Sequence, residues 1–189
     1  FLSLSGMWTD RFLDPPEFSV FHAKGNELNI FDRIDRQISS ADSVHLNLGF
    51  SRSWFQTPNS FDNLAVQNIV SGGTSGNPVF GTVGDTDQRS KILTFNVAPT
   101  YTRTIGVNSV FNLGAFVRRD SYNYYPSSNP LADLGPIQGQ SIVQNRSLTN
   151  AGLRSDSSYV KGVNNIKIGA VYRHTFLREN DSIGLVYST

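Results

Sequence analysis

The residues of this chain that could do chemistry are few and scattered. Three histidines, His22, His45 and His174, stand far apart, without the short spacing that brings two imidazoles to one metal. Cysteine is absent, which removes disulfide frameworks, thiolate metal sites and thiol nucleophiles together. Gly72-Gly73-Thr74-Ser75-Gly76-Asn77 is rich in glycine, but no Lys-Ser or Lys-Thr follows, so it lacks the cradle of a phosphate loop and reads as a flexible connection. Asp85-Thr86-Asp87 offers two carboxylates to a hard cation, but the positions around it do not supply the other oxygens of a calcium loop, and a solvated turn accounts for it. No serine sits in a nucleophile-elbow sequence, and Arg118-Arg119-Asp120 reads as a charge network rather than acid–base machinery. Asn145-Arg146-Ser147 and Asn180-Asp181-Ser182 match glycosylation acceptors, a pattern short enough to recur by chance. No enzyme activity, cofactor or metal is expected.

The elements that carry these residues are legible in composition and period. Of 189 residues, 16 are Lys or Arg and 15 Asp or Glu, and the net charge of +1 gives no bulk attraction for nucleic acid. Serine (23) and asparagine (17) together outnumber the charged residues, while 38% of the chain is hydrophobic and 12% aromatic. So many aromatics with so little charge do not describe a disordered segment. The length suggests one domain or part of one. The chain begins on Phe1 and stops on Tyr187-Ser188-Thr189, so both ends read as cut. Apolar runs reach only about five residues, against the roughly 20 of a membrane-spanning helix. Spanning by strands is untouched by that argument.

Period two recurs along the chain where helical spacing fails. In 44–54 the even positions are Val44, Leu46, Leu48, Phe50, Arg52 and Trp54, and the odd ones are His45, Asn47, Gly49, Ser51 and Ser53. The odd positions of 93–105 are apolar apart from Arg103, against Thr94, Asn96, Thr100, Thr102 and Thr104. Phe111, Leu113, Ala115 and Val117 oppose Asn112, Gly114, Phe116 and Arg118; Ile166, Ile168, Ala170, Tyr172 and Phe176 oppose Lys167, Gly169, Val171, Arg173 and Thr175. Weaker alternation covers 28–38, where Asp32 and Arg36 intrude, and 150–161. Six strands are expected, at 28–38, 44–55, 91–105, 110–124, 149–161 and 166–178, with Phe18–Phe21 and Ile183–Tyr187 as marginal additions.

Their connections alternate in length. Short polar turns follow the first, third and fifth strands, and long loops over 56–90 and 126–148 follow the second and fourth. An antiparallel up-and-down meander then has all its short turns at one end. Outer-membrane barrels sort their connections this way, and their strands need about 9–11 residues to cross. The fold expected is therefore all-β, an antiparallel meander forming part of a transmembrane β-barrel. On this reading one face meets lipid and the other lines a wet lumen. His45, Asn47, Asn96, Arg118, Asp120, Arg154, Asp156 and Arg173 are the expected lumen network. Trp54, Tyr122, Tyr124 and Tyr125 gather where strands meet long loops, either as rim contacts to an extracellular ligand or as an interfacial girdle, which Tyr101, Phe111 and Tyr159 repeat near the short turns.

Several stretches resemble the barrel of TonB-dependent outer-membrane receptors, most closely the Oar-like receptors with a carboxypeptidase-regulatory-like domain. They are Arg11-Phe12-Leu13-Asp14-Pro15-Pro16, Asn29-Ile30-Phe31-Asp32-Arg33-Ile34-Asp35, His45-Leu46-Asn47-Leu48, Ser53-Trp54-Phe55-Gln56-Thr57-Pro58-Asn59-Ser60, Thr86-Asp87-Gln88-Arg89-Ser90, Phe116-Val117-Arg118-Arg119-Asp120, Tyr122-Asn123-Tyr124-Tyr125-Pro126-Ser127 and Ser158-Tyr159-Val160-Lys161-Gly162. The resemblance implies a place in the cell outer membrane and active uptake of an extracellular ligand. It also implies three protein partners: a plug domain, the remaining barrel strands and a periplasmic energy-coupling protein. No stretch here corresponds to the plug or the coupling box. Six strands leave two edges that lipid cannot satisfy, which favours a fragment of a large barrel. Two alternatives stay open: a soluble or surface-anchored β-sandwich binding carbohydrate or protein, and a small complete eight-stranded barrel.

Overall fold

Alternation at period two is realised as strands throughout the computed structural model, which describes residues 1–9, 20–22, 24–57, 59–60, 88–128 and 140–185. In chain order the strands are β1 (Leu2–Thr9), β2 (Val20–His22), β3 (Gly25–Gln37), β4 (Asp42–Gln56), β5 (Asn59–Ser60), β6 (Arg89–Ile105), β7 (Ser109–Tyr125), β8 (Gln140–Lys161), β9 (Asn164–Glu179) and β10 (Ser182–Leu185). Eight of them form one antiparallel sheet in the order β1-β3-β4-β6-β7-β8, with β9 and β10 both on the far side of β8. This is an up-and-down meander in an open sheet.

Local chemistry closes each hairpin. Between β3 and β4 the Ser39 hydroxyl donates to Asp42 Oδ2 at 2.6 Å, while the Ala41 and Asp42 amides donate to Ser39 Oγ at 3.1 Å. Gly106 opens the β6–β7 turn and Gly162 the β8–β9 turn, each in the left-handed region with φ near +60° (63° and 60°), where a Cβ would be strained. The Gly162-Val163 pair is a two-residue connection with glycine first, which suits the right-handed twist of the flanking strands. All three turns lie at one end of the sheet, and the chain crosses between β4 and β6 and between β7 and β8 at the other.

Two hairpins extend beyond the expected strands. β2 and β5 pair with each other as a separate two-stranded sheet, with a register shift between Val20 and His22, and the Gln56 amide donates to Lys24 O at 2.8 Å at the end of the β3–β4 ladder. β8 runs for 22 residues and pairs β9 from Lys161 to Arg146, then β10 from Val143 to Gln140 in the same register. The link holds across Asn180-Asp181: the Asn180 amide donates to Asn145 O at 2.9 Å, and the Asn145 amide donates to Asp181 Oδ1 at 3.2 Å. The loop expected over 126–148 thus ends earlier, because residues from Gln140 onward find partners on the next strand. At about 3.3 Å per residue, β8 is far longer than an apolar band about 25 Å tall requires.

β1 is an element beyond the six expected. It pairs β3 from Leu2↔Asp32 to Thr9↔Gly25 and forms one edge of the sheet. Substantial contacts between elements are all between ladder neighbours, so among the described residues nothing packs across either face. Stability here rests on the ladder and on cross-strand pairs. No helix among the described residues is long and apolar enough to cross a membrane, which says nothing of strands.

Candidate functional site

Because register is continuous, side-chain parity sorts the whole sheet into two faces. One line across it reads Leu2, Asp32, Leu48, Val97, Val117, Ala151, His174; a second reads Leu4, Ile30, Phe50, Phe95, Arg119, Thr149, Phe176. These belong to the apolar face, together with Leu28, Ile34, Val44, Leu46, Leu113, Leu153, Ile166, Ile168 and Tyr172. The apolar side chains are open to the surroundings: Phe95 is 50% exposed, Leu153 55% and Ile168 70%, values a filled core would not leave. The second line leaves Leu4 in mid-band and passes out of the band at Arg119 and Thr149. The band therefore slants across the strands, the relation that tilted barrel strands require. Asp32, between Ile30 and Ile34, and the Ser155 and Ser157 positions of β8 interrupt it.

The expected lumen residues, His45, Asn47, Asn96, Arg118, Asp120, Arg154, Asp156 and Arg173, all lie on the opposite face. There they form separate clusters rather than one network. Arg118 Nε donates to Asp120 Oδ2 at 2.9 Å, and Thr94 Oγ1 donates to Asp120 Oδ1 at 2.8 Å. Thr102 donates to Asn112 Oδ1 at 2.7 Å and Asn112 Nδ2 to Asp156 Oδ2 at 2.9 Å, a relay across β6, β7 and β8. Arg154 reaches Thr100 Oγ1 at 3.1 Å. Near the short turns His45 Nδ1 meets Asp35 Oδ1 at 2.5 Å, and Arg33 holds the same carboxylate at 2.9 Å. Asn47, Asn96 and Arg173 share the face without joining these clusters. Thr94, Thr102, Asp35 and Arg33 complete the clusters; Thr94 and Thr102 have the parity that identifies them, whereas the Asp35–His45 meeting depends on strand register.

Two glycines make room for these side chains. A Cβ on Gly114 would lie 2.8 Å from Arg154 Nε, so the glycine lets that guanidinium cross to Thr100. A Cβ on Gly152 would lie 2.2 Å from Tyr172 O and 2.7 Å from the Phe116 ring. Phe116, an aromatic on the wet face, lies against the glycine opposite it.

The four candidate rim aromatics divide between the faces. Trp54 and Tyr125 stand on the apolar face at its long-loop margin, with Trp8 on the same register line as Trp54. Tyr122 and Tyr124 stand on the wet face, and the Tyr122 hydroxyl lies 3.3 Å from Ser90 Oγ. Tyr101, Phe111 and Tyr159 keep to the apolar face near the short turns. There the Tyr101 hydroxyl donates to Asp42 Oδ1 at 2.5 Å. Hydrogen bonds from Ser39 and then Tyr101 hold the Asp42 carboxyl below the usual carboxylate range. At the other end Arg146 binds Asp181 at 3.0 Å and Glu179 at 3.3 Å, which raises its already high pKa.

Among the described residues no group of three or more His, Asp or Glu gathers as a metal cage; His45 is on the wet face, and His174 packs on Phe176 at 4.3 Å between ring centroids on the other. Gly72–Asn77, Asp85-Thr86-Asp87 and Arg11–Pro16 lie outside the described residues. No family model, curated protein or solved structure matches the chain.

Proposed function

We propose that this chain is a segment of a large outer-membrane β-barrel receptor of the TonB-dependent, Oar-like kind. The observation that carries the reading is a sheet whose apolar face is left uncovered while every short turn lies at one end. The apolar face meets outer-membrane lipid, and the clustered wet face lines a lumen that a plug domain of the parent receptor fills. Among the described residues β1 on one side, and β9 with β10 on the other, are open edges, which in lipid demand further barrel strands as partners. The tall β8–β9–β10 hairpin and the long connections stand on the extracellular side, where Tyr122 and Tyr124 are the better ligand contacts of the four aromatics. Uptake is driven through the parent by a periplasmic energy-coupling protein.

The test is expression of the complete reading frame that contains this segment in a Gram-negative host. The expected product sediments with the outer membrane, resists alkaline extraction and migrates faster in gels before boiling than after. Recovery as a soluble monomer that unfolds cooperatively without detergent would overturn the reading in favour of a β-sandwich binding module.

A further inference from the structure

Just beyond the apolar band, at its long-loop margin, the outward face carries a cluster of donors that the receptor reading does not use. Arg119, Ser121, Asn123, Asn145, Ser147 and Arg178 line one concavity of about 450 Å³. They all have outward parity: Arg119 opposes Thr149, Ser121 opposes Ser147, which opposes Arg178, and Asn123 opposes Asn145. Lys91 flanks them across from Asn123. Above, the Arg89 guanidinium covers the Tyr125 ring at 5.6 Å.

The charges here contrast with those on the wet face. There Arg118 closes on Asp120 and Arg146 on Asp181 and Glu179. Arg119 and Arg178 are exposed and have no ion pair or side-chain hydrogen bond among the described residues. The register lines of Arg119, Arg178 and Lys91 on this face contain one further cation, Arg52, and no carboxylate. The two arginines stand on β7 and β9, one on each side of β8. At about 4.8 Å between strands, a single group seated over Ser147 and Thr149 is within reach of both forks. Guanidinium forks grip tetrahedral oxyanions bidentately, and the neutral Ser and Asn side chains add donors without adding repulsion.

We propose that this cluster binds the phosphate of a lipid headgroup in the membrane leaflet facing the long loops. The inference rests on the membrane reading above. Charge complementarity and level select the occupant: three cations without an acid, set where acyl chains give way to headgroups and flanked by Trp54 and Tyr125 of the outward face. A free phosphate would meet the same donors without the adjoining apolar band to hold its tail.

The parent protein, delipidated in neutral detergent, is titrated with phosphatidylcholine micelles containing a phosphorylated glycolipid, with the same micelles after its dephosphorylation, and with inorganic phosphate. The double variant Arg119→Gln/Arg178→Gln is expected to bind the phosphorylated micelles about thirtyfold more weakly, at roughly 1 kcal/mol per cation. Arg173→Gln, which removes a guanidinium from the other face of β9, is expected to leave binding unchanged. Dephosphorylated micelles should match the double variant, and inorganic phosphate should compete only at far higher concentration. Equal binding by the double variant, or by dephosphorylated micelles, would overturn the proposal. So would inorganic phosphate competing as well as lipid. A parent protein found in the soluble fraction sinks the membrane reading and this site together, whereas a membrane-embedded parent with unaltered binding sinks the site alone.

Discussion

On the wet face Arg33, Arg118 and Arg146 each close on a carboxylate at about 3 Å (2.9, 2.9 and 3.0 Å); on the other face Arg119, the next residue along β7 from Arg118, closes on none. The same strands carry both faces, so neither strand propensity nor sequence neighbourhood explains the difference. What differs is the surroundings each face has to satisfy. Paired, hydrogen-bonded charge suits a surface that stays in contact with water and protein. An apolar band with charge only toward its margins suits a surface that meets hydrocarbon, where one buried charge is costly and a marginal one is not. Asp32 is the departure from this rule, standing between Ile30 and Ile34 on the apolar side.

The largest expected effect comes from placing the same charge on neighbouring residues of opposite face. Leu46 opposes Ile34 and Pro99 within the band, and Asn47 opposes Arg33 and Ala98 on the wet side. On the proposed membrane reading, Leu46→Arg in the parent protein should cost about 2–4 kcal/mol of stability in lipid vesicles, and Asn47→Arg about 0–1 kcal/mol, read as the urea dependence of folding. Equal penalties would mean that the two faces meet the same medium, and a reversed order would place the core on the wet side. Either result breaks the comparison.

A smaller effect separates two glycines of the wet face. At Gly152 an added methyl meets backbone, Tyr172 O, and the Phe116 ring, neither of which can yield without moving a strand or an aromatic. Gly152→Ala should therefore destabilise by about 1–3 kcal/mol, the ordinary range for overpacking. At Gly49 the nearest atom is Asn96 Cβ at 3.6 Å, and Gly49→Ala should be neutral or slightly favourable, since alanine has less unfolded freedom to lose. Matched losses at both would show that backbone conformation, not the seat for Phe116, sets the need for glycine at Gly152.

Much of this was readable from residue order, and the rest failed for identifiable reasons. Parity puts all eight of the residues expected at a lumen on one face of the sheet, because continuous register preserves it from strand to strand. The same parity separates Tyr122 and Tyr124 from Tyr125 and Trp54, yet grouping the four by their nearness to long loops hides it. β1 went unrecognised although Leu2-Ser3-Leu4-Ser5 alternates, since Gly6 and Met7 then put the small residue on the apolar parity and the large one on the wet. Gln140–Leu148 carries little apolar alternation, and its first four residues, Gln140–Val143, are a strand because β10 pairs with them. That cause lies about 40 residues away, outside the reach of any local pattern. The Arg119–Arg178 concavity was hidden similarly: it exists only once β8 lies between β7 and β9.

The smallest effect tests whether the short-turn margin obeys the same rule as the long-loop margin. Asp42 sits on the apolar parity but beyond the band, where Ser39 and Tyr101 bind its carboxylate and Arg103 approaches to 3.8 Å. Since these partners lower its folded pKa, the stability it contributes is full above the unfolded value of 3.8 and is lost as pH falls through the lower folded value. The β3–β4 turn should therefore hold at neutral pH and loosen only in strong acid. Hydrogen exchange at Ile38, whose amide donates to Asp42 O at 2.9 Å, reports the opening once corrected for intrinsic rates. Asp42→Asn should open this turn modestly at neutral pH and remove the acid-induced increase. If the variant keeps that increase, another carboxylate governs the turn. If instead loosening begins near neutrality, the carboxylate is not held below its usual range, and the two margins of the band are not built on the same principle.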